Sequence, residues 1–187
     1  MSAVATISTS PAPAGTLPTV PGTTVADNHR QYLTFMLSSE TFAVGILGIK
    51  EIIEYGHLTN VPRLPAFIRG VINLRGAVVP VIDLGARFGR HATAITRRTC
   101  IVIIEVAGDG GRQDVGIMVD AVNAVLEIPA AQIEPPPSFG AAIRADFVAG
   151  MGKINEQFVI ILNIDKVLSV GEMADLAGGV PQPAPPA

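Results

Sequence analysis

Apolar residues along this chain fall mostly into short runs, either alternating or continuous, and not into long amphipathic stretches. Residues 32–37 alternate, with Leu33, Phe35 and Leu37 on one face, and residues 41–46 return after the turn Ser38-Ser39-Glu40. That is the pattern of a half-buried hairpin. Residues 98–106, 114–120 and 122–128 predict three more strands, the first two joined by the Gly-rich loop 108–111. Residues 147–154 and 157–164 predict another hairpin turning at Asn155-Glu156. One stretch reads differently. Ile46, Ile49 and Ile53 recur at helical spacing with Ile52 beside them, while Lys50, Glu51 and Glu54 take the other positions. Residues 46–55 are therefore expected to form a helix. Short helical turns are expected after Asp83, a side chain suited to an N-cap, and over residues 165–168 and 172–177.

The most informative stretch is residues 67–88, FIRGVINLRGAVVPVIDLGARF. Two Val- and Ile-rich runs flank Arg75-Gly76, and Gly supplies the positive φ that a tight turn needs. Arg75 alone combines a charge with a place at the hairpin tip. Its guanidinium offers fixed donors suited to a carboxylate. Shifted by 80 residues, Phe67, Gly70, Val79, Val81, Ile82 and Leu84 fall on Phe147, Gly150, Val159, Ile161, Leu162 and Ile164, and Asp83 falls on Asn163. Two half-units of similar plan follow, each a small β-barrel with a hairpin and a terminal helical turn.

Composition narrows the function classes. A formal net charge of −3 and the absence of Trp argue against a nucleic-acid partner. One Cys excludes an internal disulfide, and Cys100 sits in a strand-like run where a small buried thiol is the simpler reading. Residues 1–26 carry no charge and are broken by Pro, so no targeting segment is expected, and no apolar run approaches the length of a membrane span. A cytoplasmic protein without direct membrane insertion is the expectation. Residues 1–28 and the Pro-rich residues 178–187 are expected to be disordered tails around a block at 29–177. The apolar content of 49% is high for thin β units, so some Val and Ile should remain on the surface as partner sites.

Catalytic chemistry finds little support. His29, His57 and His91 lie in tail, turn and loop without metal-ligand spacing, and Ser38-Ser39 lacks a nucleophile elbow. The loop 108–111 leads into a strand, not a helix N-terminus, and Asp83 and Asp120 are no carboxylate pair. Neither cofactor nor metal is expected, and the reading is a non-enzyme.

The hairpin segment resembles the signature of the CheW family, the coupling proteins of bacterial chemotaxis. Gly70, Val71, Asn73, Leu74, Arg75 and Gly76 match its Gly-Val-x-Asn-Leu-Arg-Gly hairpin, and Val79, Pro80, Val81, Ile82, Asp83 and Leu84 its second strand. A looser resemblance extends over residues 31–169. It implies an all-β fold of two SH3-like five-stranded β-barrel subdomains with a few short helices. It also implies an adaptor between the cytoplasmic tip of a methyl-accepting chemoreceptor and the regulatory domain of a CheA-type histidine kinase. Arg75 and Glu51, the latter in the segment GIKEI, match positions implicated in partner contact. Ile49, Cys100 and Val125 match positions lining a receptor groove between the subdomains, although plain core would explain each as well. Gly70 and Gly76 permit close backbone approach beside the signature strand. Gly85 departs from the family, which often has Arg after Asp-Leu. A CheW-like adaptor of a pili, surface-motility or biofilm pathway is the nearer alternative, and a small β-barrel enzyme or ligand-binding protein the farther one. Arg75 and Glu51 are expected near the same binding region; they could pair with each other or with partner residues, and contacts to partners are the favoured reading.

Overall fold

The computed structural model describes residues 29–108, 110–137 and 143–169. The expected N-terminal tail, the helical turn at 172–177 and the C-terminal tail lie outside these residues. Eleven strands and two short α-helices follow in order: β1 (His29–Leu37), β2 (Glu40–Gly45), β3 (Ile49–Glu54), β4 (Ile68–Leu74), β5 (Ala77–Asp83), α1 (Leu84–Arg87), β6 (Cys100–Gly108), β7 (Gly111–Val119), β8 (Ala121–Pro129), β9 (Ile133–Glu134), β10 (Val148–Ile154), β11 (Gln157–Leu162) and α2 (Ile164–Val167).

They build two sheets. The middle of the chain forms one, in the order β3-β6-β7-β5-β4. The two ends form the other, in the order β8-β1-β2-β11-β10-β9, which is five longer strands plus the two-residue β9. In each, one hairpin joins another through a parallel pair, β5 with β7 and β11 with β2. The two sheets fit the two SH3-like subdomains that the sequence implies. The first hairpin, however, completes the sheet of the last strands.

The 80-residue repeat holds down to single hydrogen bonds. Asp83 N donates to Phe67 O at 2.7 Å, and Asn163 N to Phe147 O at 2.8 Å. Asp83 Oδ1 accepts from Ala86 N, and Asn163 Oδ1 from Lys166 N, so each caps the short helix that follows. Both hairpins carry an extra residue, between Ile68 and Gly70 and between Val148 and Gly150. Both turns place two residues at positive φ, Arg75 and Gly76 in one, Asn155 and Glu156 in the other.

Residues 46–55 are not a helix. Ile46–Gly48 is a single 3-10 turn and Ile49–Glu54 is an edge strand. The cause is a bulge: Ile49 opposes Ile104 and Glu51 opposes Ile103, leaving Lys50 as the extra residue. One inserted residue breaks strict alternation and spaces Ile49, Ile52 and Ile53 as a helix would.

Core residues form three groups. Tyr32, Ala43, Ile128, Val159 and Ile161 fill one barrel, and Val79, Val81, Ile101, Ile103 and Met118 the other. The largest group lies between them and draws Leu33, Phe35, Phe42 and Leu162 from one sheet, Val102, Ile104, Ile117 and Val119 from the other. Strands such as β6 are buried on both faces, which explains their continuous apolar sequence. Many of the chain's Val and Ile fill this middle layer, while some remain on the surface as expected. The large apolar side chains left exposed among the described residues are Leu47, Ile52, Val78, Ile95, Val125 and Phe158.

Candidate interaction site

Arg75 occupies the tip of the β4–β5 hairpin with φ 50°, followed by Gly76 at φ 87°. Positive φ at both central residues is the geometry of a type I′ turn, whose twist matches the flanking strands. Asn73 Oδ1 fixes the turn by accepting from Gly76 N at 2.9 Å. Glu51 sits on β3, at the opposite edge of the same sheet. The curl of the sheet brings them together: Arg75 Nη1 lies 3.0 Å from Glu51 Oε1 and Nη2 3.2 Å from Oε2. This two-point pairing corrects the favoured reading, in which the charges contact partners and not each other. Arg75 remains 79% exposed, whereas Glu51 is 25% exposed. The guanidinium therefore keeps an open face while its orientation is held by Glu51.

Gly70 acts nearby in closing the same barrel. It is buried at φ 149°, and a Cβ there would lie 2.5 Å from Thr59 O. Val71 and Thr59 exchange two backbone hydrogen bonds of 2.9 Å across this approach. The segment after β3 can thus lie against β4 only because residue 70 has no side chain. Gly76 has open space around its Cα, so its role is the turn conformation.

The apolar candidates share a face. Ile49 opposes Ile104 across the ladder, Val125 opposes Leu33, and Cys100 alternates with Val102 and Ile104 along β6. Directly opposed residues point the same way, so all three are turned towards the layer between the sheets. Ile49 and Cys100 are half-buried against that layer, and the Cys100 thiol donates to Arg98 O at 3.3 Å. Val125 is 53% exposed, so plain core does not describe it. Ile52, opposite Val102 on the same face, is 44% exposed. The helical reading of 46–55 hid its position. Ile49 and Ile52 form an apolar lip on the edge strand β3, with Cys100 behind it on the inner strand β6, and Val125 with Val122, half-buried against the middle layer, forms another on the edge strand β8.

The pair and the lips are distinct features of one region. Glu51 opposes Ile103, which faces the barrel interior, while its neighbour Ile52 faces the layer between the sheets. The edge strand β3 therefore serves both. Lys50, the bulged residue, reaches Glu105 at 3.0 Å and Asp114 at 2.7 Å, and Arg112 reaches Glu105 at 2.6 Å. Hydrogen bonds from Arg112 and Lys50 hold the Glu105 carboxyl below its usual range, and those to Asp114 and Glu105 raise Lys50.

Gly85 leaves room for a crossing loop, since a Cβ there would lie 2.8 Å from His91 O. The buried Asp83 carboxylate below it accepts from Thr93 N and Thr93 Oγ1, both at 2.8 Å. Asp83 thus has capping and loop-anchoring partners. A cavity of about 870 Å³ lies elsewhere, between Arg30, Leu47, Glu127 and Asp165. No group of three or more His, Cys, Asp or Glu among the described residues could hold a metal ion. No helix among them is long and apolar enough to cross a membrane.

Comparison with known proteins bears on this arrangement. A family model described as CheW-like domain matches residues 31–172. The chain belongs to the CheW-like family. The chemotaxis protein CheW of Klebsiella aerogenes is 36% identical over 145 residues, which cover 78% of this chain and 85% of that protein. Chemotaxis protein CheW of Bacillus subtilis is 32% identical, covering 81% and 93%, and protein FrzA of Myxococcus xanthus 30%, covering 80% and 91%. The crystal structure of scaffolding protein TtCheW from Thermoanaerobacter tengcongensis superposes with a TM-score of 0.68 at 34% identity, covering 74% of this chain and 87% of that one. The CheW hairpin signature and the two-sheet architecture therefore occur together here. Family membership makes the chain a scaffold or adaptor in kind.

Proposed function

We infer that this chain couples methyl-accepting chemoreceptors to a CheA-type histidine kinase, as a non-catalytic adaptor in the cytoplasm recruited to membrane-associated receptor arrays. The observation that carries the reading is the CheW-like match over residues 31–172. The apolar lips of Ile49, Ile52, Cys100 and Val125 suit a receptor's helical hairpin tip, because helix-in-groove docking needs an apolar trough with a few anchoring charges. Arg75, steadied by Glu51, supplies an outward donor array at the end of the β4–β5 hairpin, where a partner carboxylate can bind bidentately. Gly70 and Gly76 shape that hairpin. No cofactor is called for by this role.

Reconstitution tests it: purified chain, a chemoreceptor signalling fragment and a CheA-type kinase are mixed and kinase autophosphorylation is followed. Activation that depends on the chain supports the reading. Absence of a ternary complex with any cognate receptor and kinase would overturn it. Similarity to FrzA favours keeping one second reading, a CheW-like adaptor of a non-flagellar pathway such as pili, surface motility or biofilm signalling. The identity of the receptor and kinase that co-purify from native lysate separates the two.

A further inference from the structure

Charge is distributed very unevenly along this acidic chain. Residues 84–104 hold four of its thirteen Lys and Arg and no Asp or Glu. Two of the four are engaged inside the fold: Arg87 Nε donates to Val167 O, and Arg90 pairs with Glu40. Arg97 and Arg98 are exposed, and among the described residues neither has an ion-pair partner.

These two side chains stand on the connection between α1 and β6, which has no helix or strand of its own. Long irregular connections of this kind are uncommon and usually functional. This one is fastened from below. Thr93 is tied to the buried Asp83 through its backbone N and its hydroxyl. Thr99 Oγ1 accepts from Thr96 N at 2.8 Å and donates to Ala94 O at 3.2 Å, and Thr96 Oγ1 accepts from Arg98 N at 3.1 Å. The inward hydroxyls fix the loop and leave Ile95, Arg97 and Arg98 pointing outward, with Ile95 54% exposed. Beside them a cavity of about 690 Å³ opens towards the β1–β2 turn, with Met36, Ala92, Ala94 and Ala121 among its walls. Asp120 also lines it, and its Oδ2 is occupied by Ser38 N at 2.7 Å.

We propose that the loop 91–98 is a docking surface for an acidic protein segment that carries an apolar side chain. Two exposed guanidiniums carried on a fastened backbone suit carboxylates, which they can bind bidentately. Ile95 and the adjoining cavity supply the apolar anchor, and a pre-fastened loop loses little entropy on binding. The chain's negative net charge repels extended polyanions such as nucleic acid or an anionic bilayer, so a short local acidic stretch is the fitting partner. This surface adjoins Cys100, whose thiol donates to Arg98 O, but its assignment does not rest on the coupling function.

The test is a titration of the full-length, isotope-labelled chain with a synthetic peptide of Leu residues separated by pairs of Glu, followed by amide chemical shifts. Shifts should concentrate on residues 91–98 and on Met36, Ser38 and Asp120. Arg97→Glu with Arg98→Glu should weaken the peptide by about tenfold or more, and Lys153→Glu, a charge reversal on β10, by less than about twofold. If the double reversal does not fold, Arg97→Gln with Arg98→Gln gives the same readout. Shifts spread over the whole surface, equal loss with Lys153→Glu, or tighter binding to duplex DNA or to phosphatidylglycerol vesicles than to the peptide would each overturn the proposal.

Discussion

Arg87 and Val167 stand 80 residues apart, at equivalent places in the two halves of the chain, and they bond to each other: Arg87 Nε donates to Val167 O at 3.1 Å. The guanidinium also lies over Phe67 at 5.0 Å and over Phe147 at 4.9 Å, rings that are themselves equivalent by the same shift. The repeat-equivalent helices α1 and α2 thus meet through one arginine, which reaches across from α1 only. A stack of rings, Phe35, Phe42, Phe88 and Phe147, continues from there through the layer between the sheets.

Arg87→Ala should therefore lower stability by about 1–3 kcal/mol, through a lost hydrogen bond to a carbonyl and two lost cation–π contacts. Urea unfolding followed by circular dichroism measures it. An unchanged midpoint would mean that the middle apolar layer alone fixes the junction.

Gly70→Ala should cost about 2 kcal/mol or more. It forces a side chain into φ 149° and sets a Cβ 2.5 Å from Thr59 O, a backbone atom with little freedom to retreat. Gly76→Ala meets open space, so only its positive φ counts against it and the loss should be smaller. Thermal melts of the two variants side by side rank the effects, and an equal loss would contradict the close approach at residue 70.

Val125→Asp should leave the protein folded, within about 1 kcal/mol of the parent, because the side chain is already half in water. Receptor-fragment binding should fall strongly, since a carboxylate on an apolar lip is desolvated on docking without a partner. Ile52→Asp should act alike. A folded Val125→Asp protein with normal receptor binding would remove residue 125 from the site.

Arg75→Glu sets two carboxylates against each other, yet at this exposure its effect on stability should stay within about 1 kcal/mol. Kinase activation should drop severely. The double swap Glu51→Arg with Arg75→Glu should restore the internal pair and the melting temperature but leave activation low, because the outward group is then acidic. Full recovery of activation would show that the pair serves the fold alone.

Acid should weaken the fold through Glu105. Its carboxyl is held below the usual range by Arg112 and Lys50 in the native state, so the stabilisation is present above the ordinary carboxylate range and is lost as pH falls through the lowered folded value. Lys50 is raised by Asp114 and Glu105, and its share is lost only in strong alkali. Urea midpoints measured from neutral pH downwards should fall less steeply in Lys50→Met than in the parent. Parallel curves would deny the network any part in acid stability.

Local chemistry was the most legible part of the chain. Gly after Arg75 announced the turn, Asp83 announced its cap, and the 80-residue shift announced two half-units of similar plan, whose matching backbone bonds and second cap at Asn163 the structure adds. Three things were not legible. A bulge at Lys50 gave an edge strand the spacing of a helix, and single-residue irregularities leave no separate mark in a hydrophobic pattern. The pairing of Arg75 with Glu51 depends on the curl of a sheet whose edges are far apart in its strand order, and periodicity carries no information about closure. Val125 shares a face with buried Leu33, so only its exposure on an edge strand tells surface from core.

The first hairpin has a consequence for synthesis. Of the described strands, β1 and β2 emerge first, yet their sheet neighbours are β8 and β11, the latter the last of them to be made. The middle sheet, built from consecutive segments, can close while the ribosome is still translating. The opening hairpin meanwhile waits with two unpaired edges and apolar residues on both faces, the kind of surface that strays into wrong pairings. A chain interrupted before β11 would leave that hairpin permanently without its parallel neighbour.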